Sequence, residues 1–366
     1  MNGHPTISIR QGGISDWGLG KVRVHAALLA LSLSMSTLVG QPWDGPSRGP
    51  QAQPAKVVVF LASDSKNGGV TGVYRGFEEA AARLGWRAIF LDGRGLKARQ
   101  AELLSQAIKS HPDGIVFGGV DATDFKTQVD DAKQHKIVMV GWHAARNPGP
   151  SRELFVNVAT STEAVAKLAV NFIIRNAKEQ KRSIGVVIFT DNRFSVARAK
   201  TIAMVKEIEK NKRTINCRVL SVENIPITEA GHLIPEIVPK LMKQYGYSWT
   251  YCMAINDVYF DNMNFPLVFA NRTDIINVSA GDGSSMALSR IRSGLSQQAA
   301  TVAEPLRMQG FQLADELNRA FAGTAPSGYM SKPILVTATV LKAIGEGGID
   351  SNLGFEATYS RIWAGN

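Results

Sequence analysis

Side chains able to do chemistry gather in this 366-residue chain where short apolar runs end. Val57-Val58-Val59-Phe60 leads into Asp64-Ser65-Lys66-Asn67-Gly68-Gly69, and Ile137 to Val140 leads into Gly141-Trp142-His143. Ile184 to Phe189 opens likewise into Thr190-Asp191-Asn192-Arg193-Phe194. Carboxylates accept, lysine donates, asparagine does both, and glycine lets a backbone come close. Such loops suit hydrogen bonding to a small polar molecule held above the carboxyl ends of strands, where open parallel sheets bind their ligands. Signatures of covalent or cofactor chemistry are missing: no G-x-G-x-x-G follows the first strand, and there is neither a G-x-x-x-x-G-K-[ST] nor a G-x-S-x-G turn. The expectation is a binding protein and not an enzyme, with no cofactor. His143 has no second His or Cys at ligand spacing, so it reads as a hydrogen-bonding partner and not a metal ligand. Cys217 and Cys252, the only cysteines, allow no disulfide framework.

The elements that must position these loops alternate. After the strand at 57–60, Phe77, Ala80, Ala81 and Leu84 recur at helical spacing. Strands follow at 88–91, 115–117 and 137–140, with helices over 96–110 and from Thr123 or Asp124 onward. The pattern then restarts at Phe155–Val158, with helices over 161–177, 195–210 and 230–244 between strands at 184–189, 219–222, 251–255 and 275–279. This is an α/β chain of two similar halves, each a parallel sheet built from βαβ units, with a ligand cleft between them.

An excess of 41 basic over 31 acidic residues is scattered along helix-like segments, with no basic block and no helix-turn-helix, so nucleic acid is not an expected partner. At the N-terminus Lys21 and Arg23 precede a short apolar run, His25 to Gly40, the pattern of a secretory signal peptide. Four prolines in residues 41–55 read as a linker. The domain plan is therefore 1–55 as signal peptide and Pro-rich linker, with export to the periplasm.

Several segments in order give the chain a family likeness. They are Val73-Tyr74-Arg75-Gly76-Phe77-Glu78-Glu79-Ala80-Ala81 with Leu84-Gly85, Pro112-Asp113-Gly114-Ile115-Val116, Ala254-Ile255-Asn256-Asp257, Val278-Ser279-Ala280-Gly281-Asp282-Gly283, and Ala300-Thr301-Val302-Ala303-Glu304-Pro305. Together they span residues 56–342 and resemble the periplasmic sugar-binding proteins of the ribose-binding type, receptors of ABC importers. The resemblance implies two Rossmann-like lobes joined by a three-strand hinge with crossings near Val158, Glu304-Pro305 and Ile334. It assigns 56–158 plus 305–333 to the N-lobe, with the helix Arg307–Phe321, and 159–304 plus 334–342 to the C-lobe. Residues 343–366 are expected to pack back on a lobe.

The resemblance also nominates binding residues. Asn256 and Asp282 match two polar positions at C-lobe strand ends, and Glu304 stands at the second hinge where a Gln is common. Arg198 or Lys200 matches a basic residue in the helix after the first C-lobe strand, and Arg198 is preferred because a planar fork grips two oxygens. The N-lobe departs from the pattern: Ser65-Lys66-Asn67-Gly68-Gly69 replaces aromatic residues, and Trp142-His143 replaces Asp-Arg. Trp142 is expected to take over stacking on a ring, with Asp64, Lys66, Asn67 and His143 as polar contacts, around a roomy wall. The implied protein is a monomeric receptor that closes on a sugar or polyol and delivers it to an ABC permease, or reports it to a membrane sensor. A lactose-repressor-like regulator shares the fold but lacks its DNA-binding segment here.

Overall fold

The structure, a computed structural model, describes residues 43–345 and 348–365. The expected signal peptide, with its apolar run from His25 to Gly40, lies outside that range.

The N-lobe is laid down first. β1 (Val57–Ala62), β2 (Arg87–Asp92), β3 (Gly114–Gly118), β4 (Val138–Trp142) and β5 (Val156–Val158) form one parallel sheet in the order β2-β1-β3-β4-β5. Helices α1 (Gly68–Arg83), α2 (Lys97–Lys109) and α3 (Lys126–Gln134) connect the first four strands. Both faces of β1 are covered: Val58 and Phe60 pack with α1, and Val59 and Leu61 with Leu104 and Ile108 of α2. That accounts for the continuous apolar run where a one-sided strand would alternate.

The C-lobe follows with α4 (Thr162–Glu179), β6 (Ile184–Thr190), α5 (Ser195–Asn211), β7 (Cys217–Asn224), α6 (Ala230–Tyr245) and β8 (Tyr251–Ala254). Two short helices, α7 (Val258–Asp261) and α8 (Asn264–Phe269), precede β9 (Ile276–Ser279), α9 (Ser285–Ser293) and β10 (Gln298–Ala303). After Pro305 the chain returns to the N-lobe as α10 (Leu306–Phe321). It then comes back as β11 (Ile334–Thr337), antiparallel to β10, and α11 (Ala338–Ile344). The second sheet runs β11-β10-β9-β8-β6-β7. The expected α/β architecture of two lobes with largely parallel sheets is thus found.

Two local findings differ from expectation, and a third gives the lobe on which the tail packs. First, α1 begins at Gly68, because the Asn67 side chain caps it by accepting from the Gly69 N–H at 3.0 Å. The glycines expected in a loop therefore lie in the helix. Gly76 of α1 and Gly310 of α10 let those helices touch backbone to backbone: a Cβ on Gly76 would sit 2.2 Å from the Arg307 carbonyl, and one on Gly310 would sit 2.4 Å from that of Val73.

Second, residues 43–55, expected as a linker, are an extended arm packed on the N-lobe. The Gln53 N–H donates to Asn318 Oδ1 at 2.8 Å, the Ala52 N–H to the Trp363 carbonyl at 2.9 Å, and Trp86 Nε1 to the Gln53 carbonyl at 2.6 Å. Proline-rich chain stays extended and leaves its backbone groups to distant partners.

Third, the tail ends in α12 (Phe355–Trp363), whose Phe355, Tyr359, Ile362 and Trp363 join Phe311 of α10 in the N-lobe core. With the arm and α12 laid over it, α10 is buried from Met308 to Arg319 on every side, so its polar groups need partners there. Asp315 accepts from Arg319 Nε at 2.7 Å and from Trp363 Nε1 at 2.9 Å.

Candidate functional site

The loops at the carboxyl ends of β1, β3, β4, β6, β8 and β9 converge on one cavity between the lobes. Its lining includes Asn67 and His143 from the N-lobe and Phe194, Lys200, Asn256 and Asp282 from the C-lobe. The space open to water-molecule centres is about 50 Å³, room for a few waters.

The C-lobe floor is a chain of buried polar groups. Asn256 sits after β8; its Oδ1 accepts from the Val258 N–H at 2.8 Å, and its Nδ2 donates to Asp282 Oδ2. Lys200 is only 3 % exposed, yet its Nζ stands 3.6 Å from Asp282 Oδ1 and 3.8 Å from Glu304 Oε1, beyond direct hydrogen-bond distance from both. A buried ammonium in that position faces the cavity with donors to give.

Glu304, fully buried at the second crossing, has His143 Nε2 2.8 Å from its Oε1, while its Oε2 accepts from Gln309 Nε2 at 2.8 Å. Burial alone would raise its pKa; the charges of His143 and Lys200 and the bonds from His143 and Gln309 outweigh that and hold it down to about 2.

Behind Asp282 lies Asp257, whose Oδ2 accepts from the backbone N–H groups of Gly283 and Ser284 at 2.8 and 3.1 Å and whose Oδ1 accepts from Gln298 Nε2 at 2.9 Å. Burial and the neighbouring Asp282 push it up to about 6, against the pull of these donors.

Five nominated residues, Asn67, Trp142, His143, Asn256 and Asp282, line the cavity, and Glu304 supports it from behind. Trp142 is not placed as an open platform. The His143 ring stacks on it with centroids 4.1 Å apart and planes 7° from parallel, and Trp142 Nε1 donates to Gln309 Oε1 at 2.7 Å. His143 itself adopts a φ of 50°, so the turn after β4 lays its ring back over the neighbouring indole.

Lys66 and Arg198 stand outside. Lys66 is solvent-exposed, and its backbone N–H donates to Asp64 Oδ1 at 2.9 Å; Asp64 is thereby used in its own turn. Arg198 is exposed too, and its guanidinium bonds the Asn192 carbonyl. Two residues along a helix is about 200° around it, so Arg198 and Lys200 point to opposite sides. The signal lay in the helix stripe: Ala197, Lys200, Thr201, Met204 and Ile208 are its buried face, and a lysine inside an apolar stripe needs a buried role. Lys200 was the alternative to Arg198, whereas Phe194 was not nominated, although it was visible as the aromatic ending the loop after β6.

The wall expected to be roomy is instead closed. A Cβ on Gly69 would lie 2.5 Å from Asp282 Oδ2, and one on Gly68 would lie 2.7 Å from Ser284 Cβ. The absence of side chains there lets the C-lobe seat directly on the start of α1.

His143, Asp282 and Glu304 can bring one ligand atom each to within 4.8 Å of one another, the one such cluster among the described residues. The Lys200 ammonium beside both carboxylates already fills the cationic role at that point, so the donor set favours an internal ion pair over a metal.

The sequence profile of the periplasmic binding protein domain matches residues 58–325. The chain belongs to the periplasmic binding protein family. Proteins of that family are solute-binding proteins. No curated protein matches the chain by sequence.

Solved structures with the same fold include an ABC transporter solute-binding protein from Agrobacterium vitis with bound allitol. It is 17% identical, with a TM-score of 0.66 over 79% of this chain and 97% of that one. One from Actinobacillus succinogenes with bound D-allose is 13% identical at TM-score 0.67, over 78% and 99%. A third, from Mycobacterium smegmatis with bound glycerol, is 15% identical at TM-score 0.69, over 81% and 98%.

Proposed function

We propose that this binding protein is a monomeric extracytoplasmic receptor that captures a small sugar or polyol between its lobes and presents it to an ABC permease. The observation that carries the reading is the buried floor of Lys200, Asn256 and Asp282. It sets an ammonium beyond hydrogen-bond distance of its two neighbouring carboxylates, an amide and a carboxylate around one small cavity. Vicinal hydroxyls both donate and accept, so a polyol engages all three at once, with charge assistance from Lys200 and Asp282. The bound allitol, D-allose and glycerol in structures of the same fold support this ligand class. The seating of Gly68 and Gly69 on Ser284 and Asp282 supports capture by closure, since Asp282 both lines the cavity and meets the start of α1 from the other lobe.

The test is a thermal-shift screen of pentoses, hexoses, deoxy sugars and polyols on protein that retains the arm from residue 43. At least one of these compounds should raise Tm in a concentration-dependent way, by about 2.7 kcal/mol of added stability at a hundred times its Kd. Asp282→Ala should remove that rise in a protein that still unfolds cooperatively, at a Tm lowered by the loss of a buried partner of Lys200 and Asn256. Failure of every sugar and polyol would sink the ligand class, and an unchanged rise in the variant would sink the assignment of the floor.

A further inference from the structure

A receptor of this architecture bends through three crossings between lobes, here after Val158, at Glu304-Pro305 and before Ile334. This chain continues past them. β11 and α11 belong to the C-lobe: Val336 and Leu341 pack with Ile291 and Ala303. α12 belongs to the N-lobe core, tied there by Trp363 to Asp315 at 2.9 Å and by Glu356 to Arg83 at 3.0 Å. We propose that residues 348–355 are a fourth connection, a strap across the second hinge that favours the closed cleft and positions Glu304.

Two contacts make the strap more than a passive link. Ile349 packs with the C-lobe cluster of Ile291, Ala303 and Leu341, and its Cδ1 lies 3.7 Å from where a Cβ on Gly283 would sit, one residue from Asp282. The next residue, Asp350, is 5 % exposed and accepts from the Met308 N–H at 3.0 Å in the first turn of α10. Adjacent side chains thus hold opposite sides of the hinge, one on the loop bearing Asp282 and the other on the helix that starts just after Glu304. Arg307, between Pro305 and Met308, is pinned as well, by Glu79 of α1 at 2.7 Å and by Glu356 of α12.

Rotation of the lobes about Glu304-Pro305 has to pull Ile349 off Ala303 or Asp350 off Met308, because both ends of the strap are anchored in packed helices. Contacts made only in the closed arrangement shift the equilibrium toward it. The family profile ends at residue 325, before the strap begins.

The experiment needs no ligand. Spin labels at Thr127→Cys on the N-lobe and Lys206→Cys on the C-lobe, both exposed positions, report the lobe separation by pulsed electron resonance, and the native Cys217 and Cys252 are buried. The parent is compared with two variants: a Gly-Ser insertion of about twelve residues between Ile349 and Asp350, which parts the two grips while leaving α12 docked, and Asp350→Ala. In the ligand-free protein both changes should broaden the distance distribution toward longer separations, with an increase of about tenfold in the open-to-closed ratio. Superimposable distributions in parent and variants would overturn the proposal. Far-UV circular dichroism and the unfolding transition select variants that fold, and either variant alone decides. A chain whose lobes move when the strap is slackened but which no sugar or polyol narrows would contradict the receptor reading and leave the strap intact.

Discussion

Lys200 is the lysine buried in the floor. It is the cation beside two buried carboxylates, so Lys200→Met should abolish ligand-induced stabilisation and lower the unfolding free energy by about 3 kcal/mol, the usual consequence of leaving buried charges unpaired. Arg198→Ala, on the solvent side of the same helix, should change either quantity by no more than about 0.5 kcal/mol. Calorimetric titration and chemical denaturation of the pair check this, and the reverse ranking would return the role to Arg198. Both residues were legible as candidates in the sequence. What decides between them is the apolar stripe that contains Lys200, a helical-periodicity argument that outranks the better geometry of a guanidinium.

Asp257 and Glu304 give the site opposite pH signatures. Asp257 is held near 6 in the fold against an ordinary value of 3.8, so the folded state takes up its proton first. Its contribution to stability is fully present below about pH 3.8 and is lost as pH rises through 6. Glu304, held near 2 against 4.5, contributes stability above pH 4.5 that is lost as pH falls through 2. Between pH 5 and 7 only the Asp257 effect of these two operates. Asp257→Asn should therefore flatten the fall in Tm across that window, read by differential scanning calorimetry. An unaltered slope would show that Asp257 does not titrate there.

At the scale of elements, the start of α1 decides whether the lobes can meet. Gly69 is helical, so Gly69→Ala should strengthen the helix by up to about 1 kcal/mol, yet its methyl group falls 2.5 Å from Asp282 Oδ2. A ligand-free protein of equal or greater stability, combined with a loss of affinity of at least about tenfold, is the expected pairing. Retained affinity would show that closure does not bring these residues together. The sequence displayed the glycines but not their purpose, because the atoms that exclude a side chain there belong to a loop some 213 residues later in the chain. The arm at 43–55 was misread for the same reason: its hydrogen-bond partners Asn318 and Trp363 are far off in sequence, whereas composition reports only local tendency. By contrast the strands were plain, since burial on both faces writes an unbroken apolar run into the sequence.

For the molecule as a whole, the two-lobed plan followed from alternating elements that restart after β5, and the family match over residues 58–325 agrees with it. The strap was not legible: residues 343–366 showed only glycines and a few aromatics, and nothing local says that Ile349 and Asp350 grip different lobes.

The account rests on one claim, that a small polyol at the Lys200–Asn256–Asp282 floor draws the lobes together. Small-angle X-ray scattering of the protein with and without the best-stabilising sugar or polyol tests it directly, in parallel with Asp282→Ala. The radius of gyration should fall on ligand addition in the parent and stay unchanged in the variant. An equal fall in both, or none in the parent under saturating ligand, would contradict it.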